Sequence, residues 1–413
     1  MNIKDTEVIL HDDIYDLKEF SKVHPGGANI LNIFGGKNAT IHYYMLHPHI
    51  NMRTSLLDKY KIGPVNKILP TNDVTYTYLI NSEPYKTLKR RVNSVIKYPY
   101  ATTEWYIKSF CIMTTITYLE YVNICYGFSI ARSIFLGIFM ALVGLCIQHD
   151  ANHGAVSANE KINMFWGLTQ DWIGGSSLLW KHHHVLLHHA YTNNYEEDPD
   201  ITTDIIRLHK YVKWNKIYVF QKIYIWFLLS LLPINWHILE INDLYSMKHM
   251  GENISKMATN ESRIGLLLRF IFIIRFYIIP IYLHPSIFTM LNILLTLCVG
   301  GLYLGLNFII SHNFEGVKTI IYENSSYKKD WALLQAETSS TVGGRVLGFF
   351  HGGLNYQIEH HLFPRISHVH YHKIKPIVEE WCHENKIKYN YYDNLYTNVK
   401  SCYKHLESLG KSH

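Results

Sequence analysis

Histidine is the residue of this chain most able to do chemistry. There are 26 in 413 residues, and nine of them fall in three short runs. The run His149-Asp150-Ala151-Asn152-His153 sets two rings at i and i+4, on one face of a helix. In Trp180-Lys181-His182-His183-His184-Val185-Leu186-Leu187-His188-His189, His184 and His188 share that spacing. His189 is turned about 100° away, where it could reach a second metal. In Gln357-Ile358-Glu359-His360-His361, Gln357, His360 and His361 stand at i, i+3 and i+4, again one face. Imidazole nitrogen suits iron, copper and zinc, and geometry rather than affinity selects among them. A zinc site usually takes four ligands. Eight or more converging histidines suit two metals instead. His182 and His183 are expected to lie outside the ligand set or in solvent. His368, His370 and His372 alternate beyond Pro364 and read as interfacial or surface residues. His351, His209, His237 and His249 read as ordinary histidines.

The elements that must position these residues are long and apolar. Four stretches, about Trp105–Phe128, Ile130–Gln148, Ile264–Leu283 and Ile287–Ile310, approach the roughly 20 residues needed to cross a bilayer. Glu120, Arg269 and Arg275 are awkward charges within them. The short links near Ser129 and at His284–Ser286 make two hairpins. Lys and Arg are plentiful before the first hairpin, between the two and after the second, which puts both termini and the middle region in the cytosol. Ile217–Leu232 reads as a helix along the interface, or as a re-entrant segment. With this topology every histidine run, and His312 just after the fourth stretch, falls on one side of the membrane. One centre can then collect them all.

Composition agrees. Tyr (31), Phe (18) and Trp (9) are abundant, and Tyr and Trp favour membrane interfaces. A net charge of +6 is too weak to argue for nucleic acid and suits a face that meets anionic lipid. Six cysteines include no CxxC pair, which excludes a disulfide framework and a cysteine-based zinc site. The first residues have no apolar core of signal-peptide type, so internal spans are expected to act as insertion signals.

The patterns HDANH, HVLLHH and QIEHHLFP resemble the three histidine boxes of membrane fatty-acid desaturases. The flanking QHDANHGAVS, QDWIGG, AYTNN followed by DPD, SHNFEG and GGLNYQIEHHLFP are similar too, so the resemblance covers nearly the whole chain. Gln357 in place of a first histidine is the hallmark of the front-end subgroup. That subgroup inserts a cis double bond between an existing one and the carboxyl end of a polyunsaturated acyl chain. The resemblance implies two iron ions that use O2. It implies His149, His153, His184, His188, His189, His312, His360 and His361 as ligands, and Gln357 as a ligand or its neighbour. The wording around HDANHGAVS and Arg365 resembles Δ5 or Δ4 enzymes more than Δ6 enzymes. A sphingolipid desaturase or lipid hydroxylase on the same scaffold is the alternative, and a non-catalytic haem-binding membrane protein a third reading.

A further segment resembles a cytochrome b5-like domain. It runs from Val8–Phe20 through His24-Pro25-Gly26-Gly27 to Gly36-Lys37-Asn38-Ala39-Thr40-Ile41-His42-Tyr43-Tyr44-Met45-Leu46-His47. His24 and His47 match the axial ligands of haem b, with His42 and His49 as nearby decoys. Two axial histidines leave no open iron position, which suits electron transfer. The expected organisation is a small α+β haem domain (1–65, short at its N-terminus), a linker (66–100) and a desaturase domain (101–413). The last is expected to be a mostly α-helical integral membrane unit of four spans under a cytosolic histidine-rich cap. A fused donor raises the local electron-donor concentration to the roughly millimolar range of tethered modules. The implied partners are a CoA- or phospholipid-linked fatty acyl substrate, the endoplasmic reticulum membrane and an NADH-dependent cytochrome b5 reductase.

Overall fold

The computed structural model describes residues 3–24, 26–47, 57–65, 78–320 and 329–411. Pro25, His49 and residues 66–77 of the expected linker lie outside them. Four long helices dominate the described chain: Thr103–Tyr126, Ile130–Asn152, Lys256–Leu283 and Ile287–His312. They pair as two hairpins. Gly127, at φ +73°, turns the first, a conformation that costs glycine little. Ser129 and Ser286 cap the returning helices, their hydroxyls accepting the Arg132 and Thr289 N–H groups. The His284 ring N–H donates to the Ile124 carbonyl at 2.8 Å and ties the two tips together. The tips therefore share one end of the bundle. His149 and His312 close the second and fourth helices at the other end.

The second and fourth helices cross at contact distance of their backbones. A Cβ on Gly137 would stand 2.4 Å from the Thr296 carbonyl oxygen. Ser133 donates to Asn292 across the same crossing at 2.9 Å. Small residues and interhelical hydrogen bonds are the usual cement of helices that lack a hydrophobic driving force between them.

Among the described residues, the second, third and fourth helices are long and apolar enough to cross a membrane. The first has 24 residues, length enough at about 1.5 Å per residue, but its composition is less apolar and it is not one of the three. The segment Ile217–Leu232, expected along the interface, belongs to a helix pair, Lys216–Ser230 and Leu232–Ser246, bent by 46°. Pro233, at the start of the second member, suits that break. Counted as one span, the bent pair makes a fourth. The awkward charges are paired, as ionisable groups in such helices must be. Arg275 meets Glu120 and stacks 4.1 Å from the centre of the Trp172 ring. Arg269 meets Glu240 at 3.5 Å and donates to the Gly175 carbonyl at 2.9 Å.

The N-terminal region is a three-stranded antiparallel sheet in the order Glu7–Leu10, Asp13–Asp16, Lys61–Pro64. Short helices Leu17–Ser21, Ala28–Asn32 and Thr40–Leu46 complete it. It packs against the rest of the described chain. Tyr78–Leu79 pairs in parallel with Lys329–Asp330. A helix runs Glu83–Val95 and buries Tyr85, Leu88 and Val92. Tyr85 donates to the Leu362 carbonyl, and Trp381 donates to that of Pro84, each at 2.9 Å. Residues 78–100, read from sequence as linker, are thus part of the fold, because the apolar face of that helix needs a partner. One hydrophobic core runs from Val8, Phe34 and Met45 to Val185, Trp331 and Trp381. Polar contacts reinforce it: Lys37 with Glu252 at 2.6 Å, and Asn32 with Glu261 at 2.8 Å.

Candidate metal centre

The first histidine run is the last turn of the second long helix, directly after a wide i→i+5 turn at Val143–Gln148. Such turns re-aim side chains and recur at functional sites. A second wide turn, Lys181–His188, carries the second run. It changes the expected geometry. The His189 N–H donates to the His184 carbonyl, an i→i+5 bond, so one turn takes about an extra residue. His189, expected 100° away, instead has its Nε2 3.1 Å from that of His184. His188 remains stacked on His184 with ring centres 5.3 Å apart. The third run forms its own short helix, Gln357–Leu362.

These segments meet. Ligand-capable nitrogens of His149, His153, His184 and His360 all lie within 4.8 Å of one another. Those of His188, His312 and His361 make a second nest, and His189, His360 and His361 a third that joins the two. His312, alone in sequence, is brought in by the end of the fourth helix. Gln357 sits beside it, its Nε2 2.9 Å from His312 Nε2 and 3.2 Å from His361 Nε2. All nine expected residues therefore lie together.

The donor set fits metal. Among the described residues, the buried His149 Nε2, both ring nitrogens of His153, His189 Nδ1 and His360 Nε2 have no hydrogen-bond partner. An unpaired buried polar group costs about 1–3 kcal/mol, and a metal gives these nitrogens their partner. Burial holds His153, His184, His189, His360 and His361 well below the usual histidine range, hence neutral with lone pairs available. Outer groups fix the rings. His188 Nδ1 faces Asp198 at 3.2 Å, and His312 Nδ1 donates to the Thr338 carbonyl at 3.0 Å. His360 Nδ1 meets the Tyr371 hydroxyl at 3.0 Å, and His361 Nδ1 meets Gln335 at 2.8 Å. Partners of this kind set ring orientation and basicity. Sequence reasoning missed Gln335, Thr338 and Tyr371, which no motif marks. It quoted the DPD run without giving Asp198 and Asp200 this role.

Two histidines expected at the surface are not there. His368 and His370 are each 6 % exposed. Asp150 turns away from the metal nests, and its Oδ2 accepts from Ser367 at 2.7 Å and meets His368 Nδ1 at 2.9 Å. The His370 Nε2–H donates to the Tyr100 carbonyl at 2.9 Å. The reason is tertiary: the segment after Phe363 folds back on the first box, and a buried carboxylate needs partners. His372 is half-buried. His183 hydrogen-bonds Asp200 at 2.6 Å, and Asp200 also faces His188 at 3.1 Å, so His183 stands one carboxylate away from the centre. His368→Ala is expected to cost about 1.5–3 kcal/mol, the range for a hydrogen bond to a charged group, and His372→Ala within about 0.5 kcal/mol. Thermal unfolding of the two variants in detergent compares them directly.

Two cavities flank the centre. One of about 380 Å³ runs from His184, His188, His312 and Gln357 down between the second and fourth helices, past Gly144, Leu297, Gly300 and Leu304. The other, about 560 Å³, lies between the N-terminal sheet and the first box. Into it project His24 and His47, ring centres 6.1 Å apart. Their Nδ1–H groups donate to the Gly27 and Tyr43 carbonyls at 2.9 and 2.7 Å, which leaves both Nε2 atoms for a metal. Two imidazoles on one metal, at about 2 Å per bond, need roughly this separation. Gly27 is required here: it has φ +83°, and a Cβ would overlap Glu160. His42 points elsewhere, its Nε2–H donating to the Leu186 carbonyl at 2.7 Å. His153 lines this cavity while also belonging to the first metal nest.

A bundle of long apolar helices ending in adjoining histidine nests, with a two-histidine cavity alongside, has the donor sets that two metal centres would need. Comparison with known families gives the particular class. Residues 127–393 match the Fatty acid desaturase family model, and residues 2–66 match the Cytochrome b5-like Heme/Steroid binding domain model. The chain belongs to the fatty acid desaturase family and carries an N-terminal cytochrome b5-like domain. It is similar to an acyl-lipid (7-3)-desaturase of Rebecca salina, at 36% identity over 98% of this chain and 90% of the relative. A probable Delta(5) fatty acid desaturase C of Dictyostelium discoideum is 30% identical over 97% of this chain and 90% of its own length. The protein is an oxidoreductase, a desaturase whose family implies iron and whose b5-like domain implies haem.

Proposed function

We propose that this chain is a front-end acyl desaturase holding two irons on His149, His153, His184, His188, His189, His312, His360 and His361. Gln357 completes or orients the second nest. The observation that carries this is the convergence of the histidine nests at the mouth of a deep apolar cavity. An acyl chain fits that cavity, because apolar walls hold it without directional bonds while the polar mouth receives the reacting carbons. When bound, the irons supply activation of O2 for removal of hydrogen from an unactivated C–H bond. The balance is one O2, two substrate hydrogens, two electrons and two protons, giving one carbon–carbon double bond and two waters.

The chain's own residues do the rest. His24 and His47 would hold the haem, and a two-histidine pair of this kind would suit it to electron transfer. His153 stands in the wall of the donor cavity and also belongs to the first histidine nest, so the two sites adjoin there. The electrons come from NADH through a cytochrome b5 reductase. The work takes place on the cytosolic face of the endoplasmic reticulum, with both termini cytosolic. The Rebecca salina relative is named an acyl-lipid enzyme, which favours a phospholipid-linked chain over a CoA thioester. We place the new double bond at Δ5 or Δ4 rather than Δ6, on the wording around HDANHGAVS and Arg365; the Delta(5) relative accords with it.

The test is expression in a host without polyunsaturated acids, fed one acid at a time, with products located by mass spectrometry. A new double bond on the carboxyl side of an existing one is expected, first in the phospholipid fraction. A hydroxylated acid, or a double bond in a sphingoid base, would replace the reading with its alternative. Haem without any product would leave only a haem-binding membrane protein.

A further inference from the structure

The cavity that holds His24 and His47 is closed by residues from the other end of the chain. Arg365, just past the third histidine box, lines it with Tyr100 and Gly154. Its only hydrogen bond among the described residues runs from Nη1 to the Leu46 carbonyl, at 3.2 Å. A guanidinium has five N–H donors, so most are unused. No carboxylate pairs with Arg365 among the described residues. The acids that line the cavity are engaged elsewhere: Asp16 accepts the Glu19 N–H and Glu160 the Asn29 N–H. Lys181, another cation of the wall, feels the carboxylates of Glu261, Asp171 and Glu160. Arg365 has no such compensation, yet its charge is felt at both His24 and His47. Gly154, at φ +72°, faces it: a Cβ there would stand in ordinary contact, 3.4 Å from the guanidinium.

A desolvated cation facing a cavity is costly unless the occupant brings the opposite charge. Haem carries two carboxylates besides its iron. We propose that Arg365 binds a haem carboxylate, so that the desaturase domain supplies an anchor for a cofactor whose iron is held by the N-terminal domain. Planar two-point pairing of guanidinium with carboxylate is the strongest hydrogen-bonded geometry open to arginine. The consequence is that haem is bound across the domain boundary. The carboxylate held by Arg365 would lie beside Gly154, next to the first histidine box, and loss of haem would loosen the two domains from each other.

The inference rests on the assignment of His24 and His47, and the experiment separates the two. The full-length protein is stripped of haem and reloaded either with haem or with haem dimethyl ester, whose carboxylates are blocked. The release rate to apomyoglobin is then measured for wild type, R365Q and R365K. In wild type the ester is expected to leave at least about tenfold faster than haem, as for the loss of one charge-assisted bond. R365Q should release both at nearly equal rates, and R365K should keep part of the preference. The haem midpoint potential should fall in R365Q, since a positive charge felt at the two ligand histidines favours the reduced form. No preference in wild type, or an undiminished preference in R365Q, overturns the proposal. Equal acceleration of both cofactors in R365Q, over an undiminished ratio, would mean that Arg365 only braces the Leu46 carbonyl. A low-spin spectrum in every sample shows that the axial pair is intact. Its absence from wild type would instead fail the haem assignment itself.

Discussion

Alanine at any one of His149, His153, His184, His188, His189, His360 or His361 is expected to lower product formation by more than about 100-fold. Changes to groups one step outside a metal site already cost about 10–100-fold, and a ligand is part of the reacting centre. The protein should still reach the membrane, because these rings lie at helix ends above the apolar cores that hold the bundle together. Iron content, measured by mass spectrometry on purified protein, should fall with activity. His372→Ala is the control and should retain both. Gln357→Ala and Gln357→His should each impair turnover. The amide lies against His312 and His361, and either a gap or a bulkier ring there disturbs the second nest. Full activity for Gln357→Ala would remove that residue from the site. Full activity at two or more of the histidines would defeat the two-iron reading.

His24→Ala or His47→Ala in the full-length protein is expected to abolish the low-spin haem spectrum, and with it electron-dependent turnover. Each ring donates its Nδ1–H to a neighbouring carbonyl and keeps Nε2 for the cavity, and one axial bond cannot hold the closed state. His42→Ala should keep the spectrum. Its ring is spent on the Leu186 carbonyl, and its loss should instead cost about 1 kcal/mol of stability. The fragment 1–65 is the weaker sample. Its core continues into the desaturase domain, so isolation exposes apolar surface that the full chain covers. Loss of haem on His42→Ala, with retention on His47→Ala, would reverse the assignment.

The sequence was informative where chemistry is written in short-range spacing. Paired histidines at i and i+4, Gln357 in register with His360 and His361, and long apolar stretches all survive translation into local structure, because helix periodicity alone sets them. The two helical hairpins follow from the same local rules, whereas the small α+β domain was legible only through its resemblance to a cytochrome b5-like domain. Legibility failed where distant segments decide. His189 comes to His184 because a wide turn adds about a residue, which no propensity in Lys181–His188 announces. His368 and His370 look like surface residues until the chain after Phe363 folds over Asp150 and buries them. Residues 78–100 look like a tether until Tyr85, Leu88 and Val92 find the helix Tyr371–Glu384.

By itself, then, the sequence determined which residue types could bind metal, the rings each run places on one face, and the apolar segments that carry them. Only the tertiary structure decided that His312 joins runs 120 or more residues away in the chain on one side and 45 or more on the other. It alone decided that Gln335, Thr338 and Tyr371 orient the rings, and that one cavity is walled by both His47 and Arg365. The physical reason is that spacing along a helix is a property of neighbouring residues. Convergence depends on how whole helices pack, and that is set by contacts such as Gly137 against Thr296, far from any histidine.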